Sequence, residues 1–565
     1  MPYQTDHARA APLSAAAEQT MIPMRDGARL ATDVYLPERP RRLSTVLVRL
    51  PYDKCGRYTF MPQLAPHFTD RGYAFVVQDV RGKFRSEGET MPFVHEIEDG
   101  YDTLEWIVSQ PWSNGSVGMW GDSYYGYTQW AVVASGHPAL KAIVPRVTST
   151  DFMDSPHWWG DFVMQLYGAD YLAHFWTDNF IHDFPVDWSR RPLAEVFDEG
   201  FAQIGKRSQA FDQLMLHRQR GGFSMYPRGR HPFDHQCIPA LHSVGWFDNV
   251  APASMSDYTR LCARADRARL QYLVADATDH ENYHLRQFPV GPDDDHDADD
   301  AALGRMLPSL ASPALDFFDV FLSGRGRPDD VPRVRWYLGH DTWHESLEWP
   351  PRDSRELRLY LSAPGRATAG AQGGALTPAP DRANSVARWL HDPQRLVPSA
   401  LQDPFSALKY WPDEREIEDR DDVPTFTSEP AVAPLDLVGP VTAVLGVGSS
   451  AASMHAVVKL LDVFPDGSSR MLVRGQAHVG RPHTRRPTSI DLGHTGYRVQ
   501  VGHSLRLHVA SSDFPLCLWH PGTPEDPWYA TEGATSRQEL ATGGSSPSFV
   551  SLTVLPAGID HGLRG

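Results

Sequence analysis

Cysteine is scarce in this chain. Its 565 residues include four, Cys55, Cys237, Cys262 and Cys517, and no C-x-x-C pair. A disulfide-stapled scaffold and a cysteine zinc site are thereby excluded. Long apolar runs are also missing: nothing approaches the roughly 18 consecutive apolar residues of a membrane-spanning helix. The opening stretch, MPYQTDHARAAPLSAAAEQT, lacks the basic-then-apolar order of a secretory leader, so the expectation is a soluble cytoplasmic protein. Positive charge is in deficit, with 53 Lys and Arg against 70 Asp and Glu and a formal net charge of -17. Such a field repels phosphate backbones and anionic lipid, so neither nucleic acid nor membrane is expected as a partner. No H-E-x-x-H, P-loop or G-x-G-x-x-G stands in a suitable context, so no metal, nucleotide or other cofactor is indicated. The acidic run Asp293-Asp294-Asp295-His296-Asp297-Ala298-Asp299-Asp300 lacks the glycine and closing glutamate of a calcium loop, and reads as a solvated loop.

What is present suits a folded protein of two or three domains: 41% hydrophobic and 22% charged residues can bury a substantial core. Short apolar, β-branched runs such as Ser44 to Leu50 and Tyr73 to Gln78 read as strands buried on both faces. They alternate with helical stretches, Asp99 to Gln110 and Tyr125 to Ser135, which implies a parallel sheet flanked by helices. Met153 to Phe184 breaks the rhythm. It is dense in aromatics and reads as a helical insertion. The βα rhythm returns after Cys237, with strands at Ala240 to Val244 and Gln271 to Ala275 and an amphipathic helix at Pro313 to Leu322. From Pro332 the texture is β throughout, as in RVRWYLG, MHAVVKLLDV and YRVQVGHSLRLHVAS, and suggests a sandwich or jelly roll. The expected layout is residues 1–149 and 238–331 as one α/β domain, 150–237 as a cap within it, and 332–565 as a β-domain.

The strongest local pattern is Gly118-Met119-Trp120-Gly121-Asp122-Ser123-Tyr124-Tyr125-Gly126, with a strand candidate entering and a helix candidate leaving. A serine on so sharp a strand-to-helix turn projects its hydroxyl above the sheet, and the N–H of the next residue, Tyr124, points at a carbonyl under attack. The helix N-terminus favours developing negative charge. The second glycine is displaced: Tyr125 holds the position usually small, and Gly126 follows. A serine nucleophile needs a base, and the base an orienting carboxylate. In α/β-hydrolases they follow in the order serine, acid, histidine, each after a later strand. Asp248 and His280 satisfy that order, with His284 on the same loop as a rival base.

These residues carry a resemblance to the family of cocaine esterases, X-prolyl dipeptidyl-peptidases and α-amino-acid ester hydrolases. Arg49-Leu50-Pro51-Tyr52-Asp53-Lys54 resembles the family's R-x-P-Y-x-K segment. Asp79-Val80-Arg81-Gly82 with Ser86-Glu87-Gly88 resembles its D-x-R-G loop. Gly121-Asp122-Ser123-Tyr124-Tyr125-Gly126 matches its G-x-S-Y-x-G elbow, and Gly245-Trp246-Phe247-Asp248 its G-W-[YF]-D acid motif. His391-Asp392-Pro393 and the stretch Lys459 to Gly467 resemble its β-domain signatures. The resemblance implies an α/β-hydrolase domain with a helical cap and a C-terminal jelly roll. It also implies that Tyr52 donates its phenol to the oxyanion. One motif departs: the family's G-P-W-x-H-like segment is Asp276-Ala277-Thr278-Asp279-His280 here, and Asp276 and Asp279 would raise the pKa of His280 if they lay close.

The resulting expectation is a serine hydrolase that cleaves carboxylic esters or activated amides of small molecules through Ser123, His280 and Asp248. The aromatic segment, with Trp158, Trp159 and Phe162, is the expected acyl or leaving-group pocket, and the acyl group is expected to be apolar or aromatic. Asp151, Asp154, Asp161 and Asp170 are available to hold a free α-amine, which leaves an X-prolyl dipeptidyl aminopeptidase or α-amino-acid ester hydrolase open. Also open are an acyltransferase, which differs only in the nucleophile that reaches the acyl-enzyme, and a non-catalytic binding protein that uses the β-domain. Oligomeric state is not legible.

Overall fold

The computed structural model describes residues 10–38, 42–151, 169, 171–173, 175–177, 186–219, 225–226, 229–363, 373–401, 411–480 and 487–556. The N-terminal part is built on one ten-stranded sheet. Its strands are β1 (Glu18–Pro23), β2 (Arg29–Tyr35), β3 (Leu43–Leu50), β4 (Ala74–Asp79), β5 (Ser113–Asp122), β6 (Leu140–Arg146), β7 (Ala240–Gly245), β8 (Gln271–Asp276), β9 (Val334–Tyr337) and β10 (Trp343–Ser346). They lie in the order β1-β2-β4-β3-β5-β6-β7-β8-β9-β10. Pairing is parallel from β4 across to β9 and antiparallel at the two edges. The crossing of β3 and β4 sends later connections to both faces, which is the α/β-hydrolase arrangement.

The central strands are buried on both sides, as their apolar runs require: β4 and β7 have no exposed residue, and β3 is buried from Ser44 onward. Each fully buried Val or Leu here contributes about 1.5–3 kcal/mol. Helices α1 (Met61–Asp70), α2 (Glu96–Ser109) and α3 (Ser123–Ser135) pack on the sheet. Helix α2 carries Glu96, Glu98 and Asp99 in its first turn, where negative charge suits the helix dipole. Helix α3 is buried from Tyr124 to Ala134, which explains its lack of a polar face. Between β6 and β7 lie α4 (Leu193–Ile204) and α5 (Gln209–Gln219). Helix α6 (Ala251–Cys262) follows β7, and α7 (Asp300–Phe321) lies between β8 and β9.

Two elements differ from the sequence expectation. The segment RVRWYLG, read as the start of the β-domain, instead forms β9 beside β8 and, with β10, closes the edge of the first sheet. Its alternating pattern does not say which sheet it joins; its parallel ladder with β8 does, from Leu273↔Val334 to Ala275↔Trp336. Helix α7 begins at Asp300 rather than near Pro313 and runs through Pro308 and Pro313. The end of the acidic run caps it, Asp299 accepting the Ala302 N–H at 2.7 Å.

The remainder is an all-β domain with eleven strands among the described residues, including Arg355–Ser362, Leu435–Ser449, Ser453–Val463, Ser469–Gly480 and Ser504–Ala510. Its signature stretch has structural roles. Lys459 is buried and donates to Glu414 at 3.1 Å and to Asp513 at 3.1 Å, while Asp462 accepts from the Tyr497 hydroxyl at 2.7 Å. The two parts share one continuous apolar cluster, which runs from Val244, Trp246 and Trp336 to Leu437, Val458 and Leu507. Among the described residues no helix is long and apolar enough to cross a membrane.

Candidate active site

Strand β5 ends at Asp122 and α3 begins at Ser123, so the sequence-predicted nucleophile occupies the turn itself. Ser123 has φ 51, a left-handed conformation rare for a residue with a Cβ. Strain of this kind costs about 1–3 kcal/mol and persists only where the surroundings impose it. The displaced glycine has a steric explanation. A Cβ on Gly121 (φ +151) would meet the Tyr125 ring at 2.2 Å, and a Cβ on Gly126 would meet Thr148 Cγ2 at 2.5 Å. The tyrosine therefore fills the space under the turn, and Gly126, one residue later, permits the close pass of α3 by the end of β6. The Tyr124 N–H lies in the unpaired first turn of α3. The Tyr124 hydroxyl is remote from it, donating to Glu96 at 3.0 Å and accepting the Phe93 N–H at 2.8 Å.

The acid loop is anchored both to β9 of its own sheet and to the β-domain. Trp246 donates its indole N–H to the Tyr337 carbonyl at 2.8 Å and stacks on Trp349 with centroids 5.0 Å apart. Phe247 packs on Trp411 at 5.4 Å. The next residue, Asp248, is buried, and its Oδ1 accepts the Val250 N–H at 3.0 Å. Gly245 is required by proximity, since a Cβ there would lie 2.5 Å from the Thr278 carbonyl. Backbone bonds from Trp246 N–H to Asp276 O at 2.8 Å and from Phe247 N–H to Thr278 O at 3.0 Å join this loop to the histidine loop.

His280 meets Asp248 across that junction, with Nδ1 2.7 Å from Oδ1. His284 does not: its Nδ1 accepts the Arg286 N–H, and its Nε2 lies 3.4 Å from Asp276. Where the family's Gly-Pro-Trp is absent, Asp279 shapes the loop by accepting the N–H groups of Glu281 at 3.0 Å and Tyr283 at 2.9 Å. Burial opposes the charged form of His280, but Asp248, Glu281 and Asp122 together outweigh it and raise its pKa to about 9. Asp276, considered from sequence as a contributor, pairs with His284 instead.

Tyr52 is buried, and the hydroxyls of Ser123 and Tyr171 near its phenol favour the ionised form less than burial opposes it. Desolvation is the main cause that pushes its pKa up to about 12, so it remains a neutral donor. Rings surround it: Tyr58 at 5.5 Å, Tyr125 at 6.0 Å and Phe175 at 5.3 Å, with Tyr171 stacked on Phe175 at 4.8 Å. Trp158, Trp159 and Phe162, and with them Asp154, Asp161 and Asp170, lie outside the described residues. Asp151 is engaged by His231 at 3.1 Å and Arg260 at 2.8 Å.

Three residues at the site carry no motif in the sequence. Arg146, at the end of β6, donates to Asp122 Oδ1 at 2.7 Å, to Ser243 Oγ at 3.0 Å and to Asn282 Oδ1 at 2.7 Å. It thereby ties the elbow to β7 and to the histidine loop. Glu281 is buried and accepts from the Tyr58 hydroxyl at 2.9 Å. Lys83 is buried with its ammonium 2.7 Å from the Phe175 carbonyl, and desolvation holds its pKa well below the usual lysine range. Only their contacts, from distant parts of the chain, mark them.

An α/β-hydrolase sheet with a strained serine at its elbow and a buried histidine–aspartate pair beside it defines the class: a serine hydrolase. Residues 26–282 match the X-Pro dipeptidyl-peptidase (S15 family) model, and residues 326–551 match the X-Pro dipeptidyl-peptidase C-terminal non-catalytic domain. The chain is 32% identical over 558 residues to the cocaine esterase of Rhodococcus sp. (strain MB1 Bresler), covering 88% of this chain and 91% of that one. It belongs to the family of cocaine esterases, X-prolyl dipeptidyl-peptidases and α-amino-acid ester hydrolases. The fold is shared with an α-amino acid ester hydrolase (TM-score 0.77, 24% identity, 98% of this chain and 100% of that one). It is shared equally with an aminopeptidase from a marine sediment archaeon, Thaumarchaeota archaeon (TM-score 0.77, 24% identity, 97% and 98%).

Proposed function

We propose that the chain hydrolyses carboxylic esters of small molecules through an acyl-enzyme on Ser123. His280 takes the Ser123 proton as the hydroxyl attacks the carbonyl carbon. Asp248 holds Nδ1–H and stabilises the imidazolium that forms. The Tyr52 phenol and the Tyr124 N–H stabilise the oxyanion. His280 then gives its proton to the leaving alcohol, and water, deprotonated by the same imidazole, releases the acid. The observation that carries this reading is the 2.7 Å contact of His280 with Asp248 on a loop bonded to the acid loop, while His284 points elsewhere. The rings of Tyr52, Tyr58, Tyr171 and Phe175 favour an apolar or aromatic acyl group.

The test is labelling with a fluorophosphonate followed by mass spectrometry of the modified peptide. Labelling is expected at Ser123, lost in Ser123→Ala, weakened strongly in His280→Ala and unchanged in His284→Ala. A folded protein that does not label would overturn the assignment. Glu281 favours a second reading, in which the acyl group carries an α-amine. Its buried carboxylate adjoins His280 and raises the pKa of both that residue and Tyr52. In that case Glu281→Gln raises KM for aminoacyl esters and leaves KM for aryl acetates unchanged.

A further inference from the structure

The β-domain brings together three histidines that lie far apart in the chain. His455 is on the Ser453–Val463 strand, His478 on the adjacent Ser469–Gly480 strand, and His520 on the segment that follows the Ser504–Ala510 strand. His455 and His478 are directly opposite in the strand register. One nitrogen from each ring lies within 4.8 Å of the others. We infer that His455, His478 and His520 form a binding site for one divalent transition metal of the zinc type, sharing no residue with the hydrolytic site.

The orientation of His455 supports this most directly. The residue is 1% exposed. Its Nε2 is buried without a partner in the protein. A buried imidazole nitrogen without a hydrogen-bond partner, on a ring whose ligand atom lies within 4.8 Å of those of two other histidines, is what a metal ligand awaiting its ion presents. An apolar interior does not otherwise leave such an atom unsatisfied without cost.

Geometry sets what binding requires. Metal–nitrogen bonds of about 2.0–2.1 Å at tetrahedral angles place ligand atoms about 3.3 Å apart, so the three rings must draw inward. His520 carries existing bonds: its Nε2 is 2.9 Å from Ser453 Oγ, and its Nδ1 accepts the Gly522 N–H at 2.9 Å. Ligation through Nδ1 costs it the Gly522 bond and keeps Nε2–H on Ser453, whereas ligation through Nε2 would move the proton to Nδ1 and cost both. A water would complete the tetrahedron. Three imidazoles without thiolate or carboxylate suit zinc, cobalt, nickel or copper and exclude calcium and magnesium.

The site has a structural consequence. The segment after the Ser504–Ala510 strand reaches the region between β6 and β7: Phe514 packs on Trp188 at 6.2 Å, and Arg191 lies 4.4 Å over the Trp519 ring. Trp528 accepts the Ala194 N–H on its carbonyl at 3.0 Å. A metal on His520 would pin this segment to two strands of the β-domain. No short sequence motif marks the site, because the ligands meet only through strand pairing and the return of a loop.

The test uses the full chain, stripped with a chelator, dialysed and titrated with Co(II) as a spectroscopic probe. The expected result is visible d–d absorption that saturates at one Co(II) per chain, is displaced by Zn(II), and accompanies a rise in Tm. His478→Ala, at the least buried of the three positions, should lose both absorption and Tm shift while remaining folded. Ser453→Ala, which frees His520 Nε2 of one partner, should keep them. Absence of stoichiometric uptake by the folded wild type, or uptake that is the same in His478→Ala and His455→Gln, would overturn the site, the latter by assigning uptake to surface histidines. Because absorbance and Tm are read without substrate, this outcome is independent of whether Ser123 is the nucleophile.

Discussion

Arg146 Nε donates to Asp122 Oδ1 at 2.7 Å, so the last residue of β6 holds the residue immediately before Ser123. The same guanidinium reaches Ser243 and Asn282, and one side chain thus spans the elbow, β7 and the histidine loop. Arg146→Met leaves Asp122 buried without its cation. Breaking a buried pair in this way costs about 3–5 kcal/mol, to be read by urea denaturation. Arg146→Lys keeps the charge but cannot bridge three partners. It is expected to lower kcat by about 10- to 100-fold, the usual consequence of a small misplacement, with KM little changed. An unchanged kcat in the lysine variant would remove Arg146 from the positioning machinery.

Gly121 and Tyr125 compete for one space. Gly121→Ala should destabilise the fold, since its Cβ would lie 2.2 Å from the tyrosine ring. In a Tyr125→Ala background the ring's share of that cost should vanish, while the share set by φ +151 and the Tyr125 carbonyl remains. A double-mutant cycle by thermal unfolding is expected to give coupling within the range of about 0.5–3 kcal/mol seen for residues in contact. Additive effects would show that the backbone angle, rather than the ring, excludes alanine.

The pKa of His280, raised to about 9, has a kinetic and a thermodynamic sign. As a base it acts in its neutral form, so kcat/KM should rise with pH to a plateau above about 9. Asp248→Asn removes the charge that most favours the imidazolium, so the limb should move toward acid as the rate falls. For stability the folded pKa exceeds the unfolded value of 6.5. The contribution is therefore fully present below about 6.5 and is lost as pH rises through about 9. A kcat/KM limb at the same pH in wild type and Asp248→Asn would assign it to another group.

Tyr52→Phe removes one proposed oxyanion donor and keeps the ring that packs on Tyr58 and Phe175. Loss of one such donor lowers kcat by about 100- to 1000-fold. Fluorophosphonate should still reach Ser123, more slowly, and Tm should be nearly unchanged. A full-speed variant would leave the Tyr124 N–H to find another companion.

The local chemistry of this protein is written in short stretches of its sequence. The run from Gly118 to Gly126 dictates a strand, a tight turn and a helix, because glycines stand where backbone and ring crowd together and an apolar helix follows. The strand before Asp248 and the strand before His280 place both residues at the same end of a parallel sheet, where loops gather. Burial periodicity supplied the layered α/β part and the β-domain after it. What the sequence left open was decided by contacts between distant segments. His280 rather than His284 meets Asp248 because Asp279 turns the loop on its own backbone. β9 and β10 join the first sheet because β9 pairs with β8, a contact made across some sixty residues of intervening chain. Arg146, Glu281 and the three histidines of the β-domain have no local signature at all. Side-chain spacing along a chain encodes which face of an element is buried, but the partner it meets is set only when strands pair and loops return, and those long-range contacts are what tertiary structure adds.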